Sequence, residues 1–558
     1  MAPVDPQVSS ETIQASCSDL SRRKRVRLVH VDRRQLIWTM LDVERLVDED
    51  HPVRAIWELV GQLDLSAFVD RIGSLEGGAG RPAYDPQLLV SLWIYAYSRG
   101  IGSAREVERR CEHDPGFRWL TGLLTINHHT LSDFRLARHD ALDEIFTQVL
   151  GILSAEGLIT LRTVMHDGTK ITAQAGPSSF KQEEQISKHL TAAREHVTAM
   201  GDPRSESQTP RQAAARERAR RERMERLEQA LVNVQQISAA KRPGYARAST
   251  QQIGVSTTDP EARIMRHRDG HYGLSYNVQI STDAAHGIAV GLHVGQAAPD
   301  YEYLVPAVAQ IEERLARTPE QMVVDAGYTS RQNILALSEK AIELVGPWTE
   351  GDGRARQRFA RAGIGEGFLP DKFRYDPASN TYICPEGKRL TVCNGQEARP
   401  GRTMVRYRAR QADCGPCSKR GQCCSGNRRY GRSIVVTSED PVVSAFRARQ
   451  ATLETRTLLR ERGRVAELVN AWLKEKLALR RFHVRGLRKV STEALWAVLT
   501  YNIQQWIRLR WLPRFTPPHC LTGAMRKAFW PKRASFQEAS PTHQPCSVLL
   551  ASQEHGMA

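Results

Sequence analysis

The chain has 558 residues and carries 79 Lys and Arg against 62 Asp and Glu, a net charge of +17 and a pI of about 9.6. That length exceeds a single compact core and predicts two or three domains, and the positive excess suits a polyanion such as nucleic acid. Apolar runs stop well short of the ~20 residues of a membrane span, Met1 to Asp19 lacks an export signal, and six of the ten cysteines crowd between Cys384 and Cys424, which argues against a disulfide framework and for a reducing, cytoplasmic setting.

In chain order, residues 1–41 read as a loose N-terminus and 42–157 as an all-helical domain. Asp85-Pro86 predicts an N-cap and first helical position, and the helix through Leu88, Leu92, Trp93 and Tyr97 stops at Gly100. Ser103 to Glu106 reads as a capping box. Thr130 to Asp133 reads as a looser one, with His128-His129 in the loop before it. On that last helix Ser132, Arg135 and Arg138 suit a recognition helix reading bases in a major groove.

A β-rich stretch opens residues 158–348 with Thr163 to Ile171. A polar insert at 178–247 follows, predicted as two helices. Its dense Arg and Glu run, Arg211 to Arg226, reads as a solvated helix face in preference to a DNA contact. Met224, Leu227, Leu231 and Val234 follow at helical spacing and predict a short coiled coil. Leu274 to Thr282 and Gly287 to Val294 predict a hairpin. Then come a helix through Leu304, Val308 and Ile311, a strand at Gln321 to Asp325, a helix at Ser330 to Lys340 and a strand at Ala341 to Gly346. The order is three leading antiparallel strands followed by α/β units. Residues 349–433 read as an irregular Cys- and Arg-rich insert, 434–512 as helices and 513–558 as a disordered tail.

Asp167 and Asp325 each end an apolar, β-branched run, where α/β sheets gather ligands. Glu467 sits on a later helix with Lys474 two turns on, on the same face. Taken singly, each Asp could merely cap a strand, and the helix could be ordinary surface. Together, three carboxylates on a basic chain suit Mg²⁺ or Mn²⁺, hard ions that take oxygen ligands. Two such ions can clamp the attacking and leaving oxygens of a phosphoryl displacement. His166, beside Asp167, points to the opposite face of its strand and reads as packed.

The chain resembles the DDE transposases of bacterial insertion sequences from about His51 to Trp506. The carriers are Gly80-Arg-Pro-Ala-Tyr-Asp-Pro86, Phe117-Arg-Trp-Leu-Thr-Gly122, His166-Asp-Gly-Thr169, Asp259-Pro-Glu-Ala-Arg263, Tyr276-Asn-Val-Gln279, Val324-Asp-Ala-Gly-Tyr328 and Arg480-Arg-Phe-His-Val-Arg-Gly-Leu487. The resemblance implies an α/β fold, a ribonuclease-H-like mixed sheet interrupted by inserts, with a helical N-terminal domain. It implies Asp167, Asp325 and Glu467 as a catalytic triad binding two Mg²⁺ or Mn²⁺ ions, with Lys474 on DNA. It also implies cleavage and strand transfer at the element's ends, and a homodimer or larger assembly on terminal inverted repeats and target DNA. Other readings are a nuclease with the same core but no strand transfer, and an inactive DNA-binding remnant. Related families place an Arg four residues before the Glu. That position here is Gly463, flanked by Arg462 and Arg464, and the upstream Tyr position is Arg460.

Cys414-Gly-Pro-Cys417 has knuckle spacing. With Cys384 and Cys423 or Cys424 it could supply the four ligands of a structural zinc. The insert's few apolar residues favour a metal over a core of its own; free thiols are the alternative.

Overall fold

The computed structural model describes residues 40–70, 72–74, 82–198, 210–240, 253–348, 352–424, 430–450 and 452–515. The loose N-terminus and the tail therefore lie almost wholly outside the described residues, as does the break between the insert's two helices. The chain divides into Met1–Arg45 and Leu46–Ala558. Where the sequence predicted two or three domains, residues 46–558 cluster as one unit.

The N-terminal region has six longer helices: α1 Pro52–Val60, α2 Pro86–Ser98, α3 Ala104–His113, α4 Pro115–Thr121, α5 His128–Ala137 and α6 His139–Ala155. Helix α2 starts where its sequence requires, with the Asp85 carboxylate accepting from the Gln87 amide at 2.9 Å. It is apolar all round from Leu89 to Tyr97 and buried accordingly. Two helix starts differ from expectation. Ser103 makes no side-chain cap, and the Glu106 carboxylate pairs with Arg109 and Arg110. Helix α5 begins three residues early, capped by Asn127 in place of Thr130, its side chain accepting from the His129 amide at 2.8 Å. His128 is thus helical, and its Nδ1 lies 2.6 Å from Glu108.

The main sheet is built on β1 Thr163–Thr172. The insert follows as a helical hairpin, α7 Glu183–Thr198 and α8 Pro210–Ala240, before β2 Arg263–Arg266, β3 Tyr272–Asp283, β4 Ile288–Gly295, α9 Leu304–Leu315, β5 Gln321–Val323, α10 Arg331–Glu339 and β6 Glu343–Val345. Strand β3 pairs antiparallel with β1 and carries both β2 and β4 on its other edge; β5 and then β6 continue parallel beyond β1. This is a mixed sheet of the ribonuclease-H kind, three antiparallel strands followed by parallel ones. The hairpin turn at Gly287 has φ +70, a left-handed conformation that favours glycine. In the insert, Leu190 and Ala193 meet Leu227, and Ile186 meets Ala230 and Val234.

Residues 374–439 correct the sequence reading. They form a five-stranded antiparallel meander, β7 Arg374–Asp376, β8 Thr381–Ile383, β9 Arg389–Arg399, β10 Arg402–Ala409 and β11 Ser433–Glu439. It has its own core of Phe368, Phe373, Leu390, Tyr407, Ala409 and Ile434. Helices α11 Pro441–Arg449, α12 Leu453–Glu475 and α13 Leu487–Trp506 complete the chain. Helix α13 explains why 46–558 is one unit. It is buried along its length and packs on α2, α5 and α6 as well as β4, so one helix closes the N-terminal core and the sheet together.

Candidate active site

Strand register brings the two aspartates near each other. Strands β1 and β5 run parallel with Met165 opposite Val323; Asp167 lies two residues further along β1 and Asp325 two residues past the end of β5, near enough for their charges to repel. Side chains two apart share a face. Met165, Val323 and Val345 on that face are covered by Ala466 of α12, with Leu458, Leu459 and Val465 around it. Hydrophobic packing thus lays α12 across the face that carries both aspartates. Glu467 adjoins the packed Ala466. Asn470 and Arg462 of the same helix reach Asp167, the Asn470 amide donating at 3.0 Å and the Arg462 guanidinium at 3.5 Å.

The electrostatics are those of a buried acidic site. Burial pushes the Asp167 carboxyl up to about 6, with Asp325 and Asp300 adding like-charge repulsion and Arg462 opposing it. One oxygen of Asp325 accepts from the Gly327 amide at 2.7 Å, so this residue also makes the turn that a strand-capping Asp would. Glu467 is half exposed and faces Arg268 at 3.6 Å. Lys474 is lowered by burial and by nearby Arg480 and Arg268, while Asp167 raises it. Of the arginines flanking Gly463, Arg462 is the one that meets an aspartate.

Behind the aspartates lies a polar layer that sequence reading missed. The Asp300 carboxylate accepts from Lys170 at 2.8 Å, Asn277 at 2.7 Å and Gln279 at 3.0 Å, and the Tyr328 hydroxyl donates to Gln279. A Cβ on Gly168 would lie 2.4 Å from Gln279 Nε2 and 2.9 Å from the Tyr328 hydroxyl, so the Asp167-Gly168 pair requires that glycine. His166 packs here too, its ring edge-on to Tyr328 at 4.9 Å and its Nδ1 2.9 Å from Ser281. Burial lowers His166 to about 4, which keeps it neutral. Asp300 left a faint trace in the sequence: an acid in the loop five residues past the end of β4.

Two further motifs hold each other. Asp259 accepts from the Tyr276 hydroxyl at 2.8 Å and the Gly486 amide at 3.2 Å, and Glu261 accepts from the Leu487 amide at 2.7 Å. Residues 259–263 therefore anchor the start of α13.

Family models match two stretches of the chain, a Transposase domain (DUF772) over residues 41–136 and a Transposase DDE domain over 383–507. By these matches the chain carries a transposase domain and a transposase DDE domain. Glu467, Lys474 and the clustered cysteines lie within the second match; Asp167 and Asp325 lie in neither. Among curated proteins nothing matches. Among solved structures, the chain is similar to a piggyBac transposase in a synaptic complex with hairpin DNA, at 9% identity over 87% of this chain and 83% of that one. The TM-score is 0.23, too low for the superposition to bear on this transposase's site.

DDE transposases use divalent cations, and the donors here have the right chemistry. Asp167 and Asp325 offer hard carboxylate oxygens, close enough that their charges repel. Asn470 adds a buried side-chain oxygen with no hydrogen-bond partner. Glu467, turned to Arg268, does not close the set: among the described residues no three His, Cys, Asp or Glu side chains are grouped to hold a metal. Cys384, Cys414, Cys417, Cys423 and Cys424, which include the candidate zinc thiols, line one small cavity. Cys414 and Cys423 are themselves part of the meander's apolar core. Burial raises Cys414, and pushes Cys423 up to about 12.

The expected DNA-reading residues on α5 divide. Ser132 lines an open groove. Arg135 is 6% exposed; its guanidinium donates to the Gly102 carbonyl at 2.5 Å and stacks over Trp93 at 4.7 Å. That is a packing role, which removes it as a base reader. The Arg138 guanidinium lies over Phe68 at 5.6 Å.

Proposed function

We propose that this transposase binds the ends of its own element and cuts and joins DNA strands at a site formed by Asp167, Asp325 and Glu467. The observation that supports the reading is the closeness of Asp167, in β1, to Asp325, just past β5, with Arg462 and Asn470 of α12 reaching Asp167. Asp167 and Asp325 hold the reacting phosphate's cation, with Asn470 Oδ1 as a further oxygen, and Glu467 completes the set on leaving Arg268. A bound Mg²⁺ or Mn²⁺ supplies charge neutralisation and orients the attacking oxygen. Arg462 and Lys474 face the incoming backbone as cations. The helical region 42–157 binds the terminal repeat through a surface other than Arg135.

The test is cleavage and strand transfer on terminal-repeat duplexes with Mg²⁺ or Mn²⁺. Asp167→Ala, Asp325→Ala and Glu467→Ala should each abolish both while leaving end binding intact. Cleavage surviving Asp325→Ala overturns the site. Cleavage without joined product leaves a nuclease, and binding without either leaves a remnant.

A further inference from the structure

The basic run of the insert divides in two. Over most of it, side chains pair along the helix surface, as Arg221 does with Glu217, and solvation accounts for them. At its end the chain does something else. Arg223, Arg226 and Leu227 of α8, His189 of α7, Thr257, Thr258 and Arg485 line one cavity of about 350 Å³. Three arginines, a histidine and two threonine hydroxyls meet there, and no carboxylate lines the wall. Arg226 has its nearest ion-pair partner, Glu222, at 3.7 Å, Arg485 donates to the Gln174 carbonyl at 3.0 Å, and no ion pair of Arg223 occurs among the described residues.

This convergence is built, because its parts come from distant stretches of chain. The α7–α8 hairpin is fixed to the core by Val255, which packs with Ile186, Ala230 and Val234, and by the pairing of Phe180–Lys181 with Val255–Ser256. Arg485 comes from the loop that residues 259–263 anchor. Glu222 offsets Arg226 alone, from outside the wall; like charges brought together repel one another, so the cavity is complementary to an anion. Forked guanidiniums with hydroxyls between them match phosphate oxygens. The site is also placed for the reaction. Gln174, which holds Arg485, follows Asp167 by seven residues along β1 and its extension, at most about 23 Å at strand rise.

We infer that the cavity formed by His189, Arg223, Arg226, Thr257, Thr258 and Arg485 is a phosphate-binding site that grips the backbone of the DNA duplex leading into the catalytic site. The inference rests on the transposase reading and gives the insert its task. The larger groove beside it shares Arg226, Thr258 and Arg485 but also carries Glu222, Glu225 and Glu261, and it is not part of the site.

The experiment measures affinity of the full chain for a terminal-repeat duplex across a salt series, for wild type, R223A/R226A and R223K/R226K. Each backbone phosphate released flattens the log–log salt dependence by about 0.9. The alanine variant should bind about tenfold more weakly at low salt, with a slope flatter by about 1 to 2, and the lysine variant should restore the slope. An unchanged slope in the alanine variant overturns the site while the transposase reading stands. Equal loss in both variants marks a structural role and overturns it too. If wild type fails to bind the duplex at all, it is the transposase reading that falls.

Discussion

Asp167→Asn should stabilise the protein while destroying its chemistry. The ordinary aspartate value is 3.8, and burial with two neighbouring carboxylates holds Asp167 at about 6. The folded state therefore binds this proton more tightly than the unfolded chain. The favourable contribution is complete below pH 3.8 and is lost as pH rises through 6. Above that, the charge is present in both states and the folded one bears its cost, about 3 kcal/mol at 1.36 kcal/mol per pH unit. Asn is nearly isosteric, keeps an oxygen for the Asn470 amide and carries no charge. At pH 8 without divalent metal, Asp167→Asn should thus gain up to about 3 kcal/mol. If residues 46–558 melt together, that is about 3 °C at roughly 2 cal/mol/K per residue.

The assay is a pair of thermal melts taken at intervals from pH 4 to pH 8. The gap between variant and wild type should be near zero at pH 4 and open between pH 4 and 6. A variant equal to or less stable than wild type at pH 8 refutes the argument, and shows that the Arg462 pairing outweighs burial and repulsion. A gap that does not change with pH refutes the cause even if its sign is right.

Gly168→Ala forces a Cβ to 2.4 Å from Gln279 Nε2, and should cost about 1–3 kcal/mol with loss of cleavage. Gly151→Ala, with nothing within 4 Å, should be neutral or stabilising, and equal melting of the two variants would contradict the close approach. Arg135→Met should lower the melting temperature without altering terminal-repeat preference. A change of sequence preference at unchanged stability would return Arg135 to base reading. In thiol labelling at pH 8, exposed Cys393 should react first, and Cys423, pushed up to about 12, should have a thiolate fraction of about 10⁻⁴ and stay unlabelled until unfolding. Release of several buried thiols by a chelator alone would show that zinc holds them.

The main sheet was legible because its strands are apolar and bounded by turn residues: the β3–β4 hairpin turns at Gly287, and Asp325 follows a short buried run. The meander was missed because arginines dominate its exposed face. Yet Val405, Tyr407 and Ala409 alternate with Arg406 and Arg408, a period of two that marks a half-buried strand. The register slips near Asn394 in β9 blur the same signal there. The paired aspartates could be named from strand ends, but their neighbours could not. Asp300, Asn470 and Arg462 are joined to them by folding, across 133, 303 and 295 residues of sequence. Arg135 shows the opposite error, since composition cannot tell a cation that stacks on Trp93 from one that reads a base.

Helix α13 has a consequence for how the protein is made. Trp496 donates to the Arg135 carbonyl at 3.1 Å, Asn502 exchanges hydrogen bonds with Ala289, and Tyr501 donates to the Gly287 carbonyl. During synthesis, α5 leaves the ribosome long before its partner exists. At roughly 5–20 residues per second the delay is on the order of tens of seconds. Through that interval the N-terminal helices lack the surface that covers them, and β4 lacks its outer layer. The nascent chain is then exposed to aggregation and proteolysis, and a ribosome that stops short of residue 487 releases a chain whose first half and sheet are both left open. Synthesis of α13 is thus also the event that completes the core.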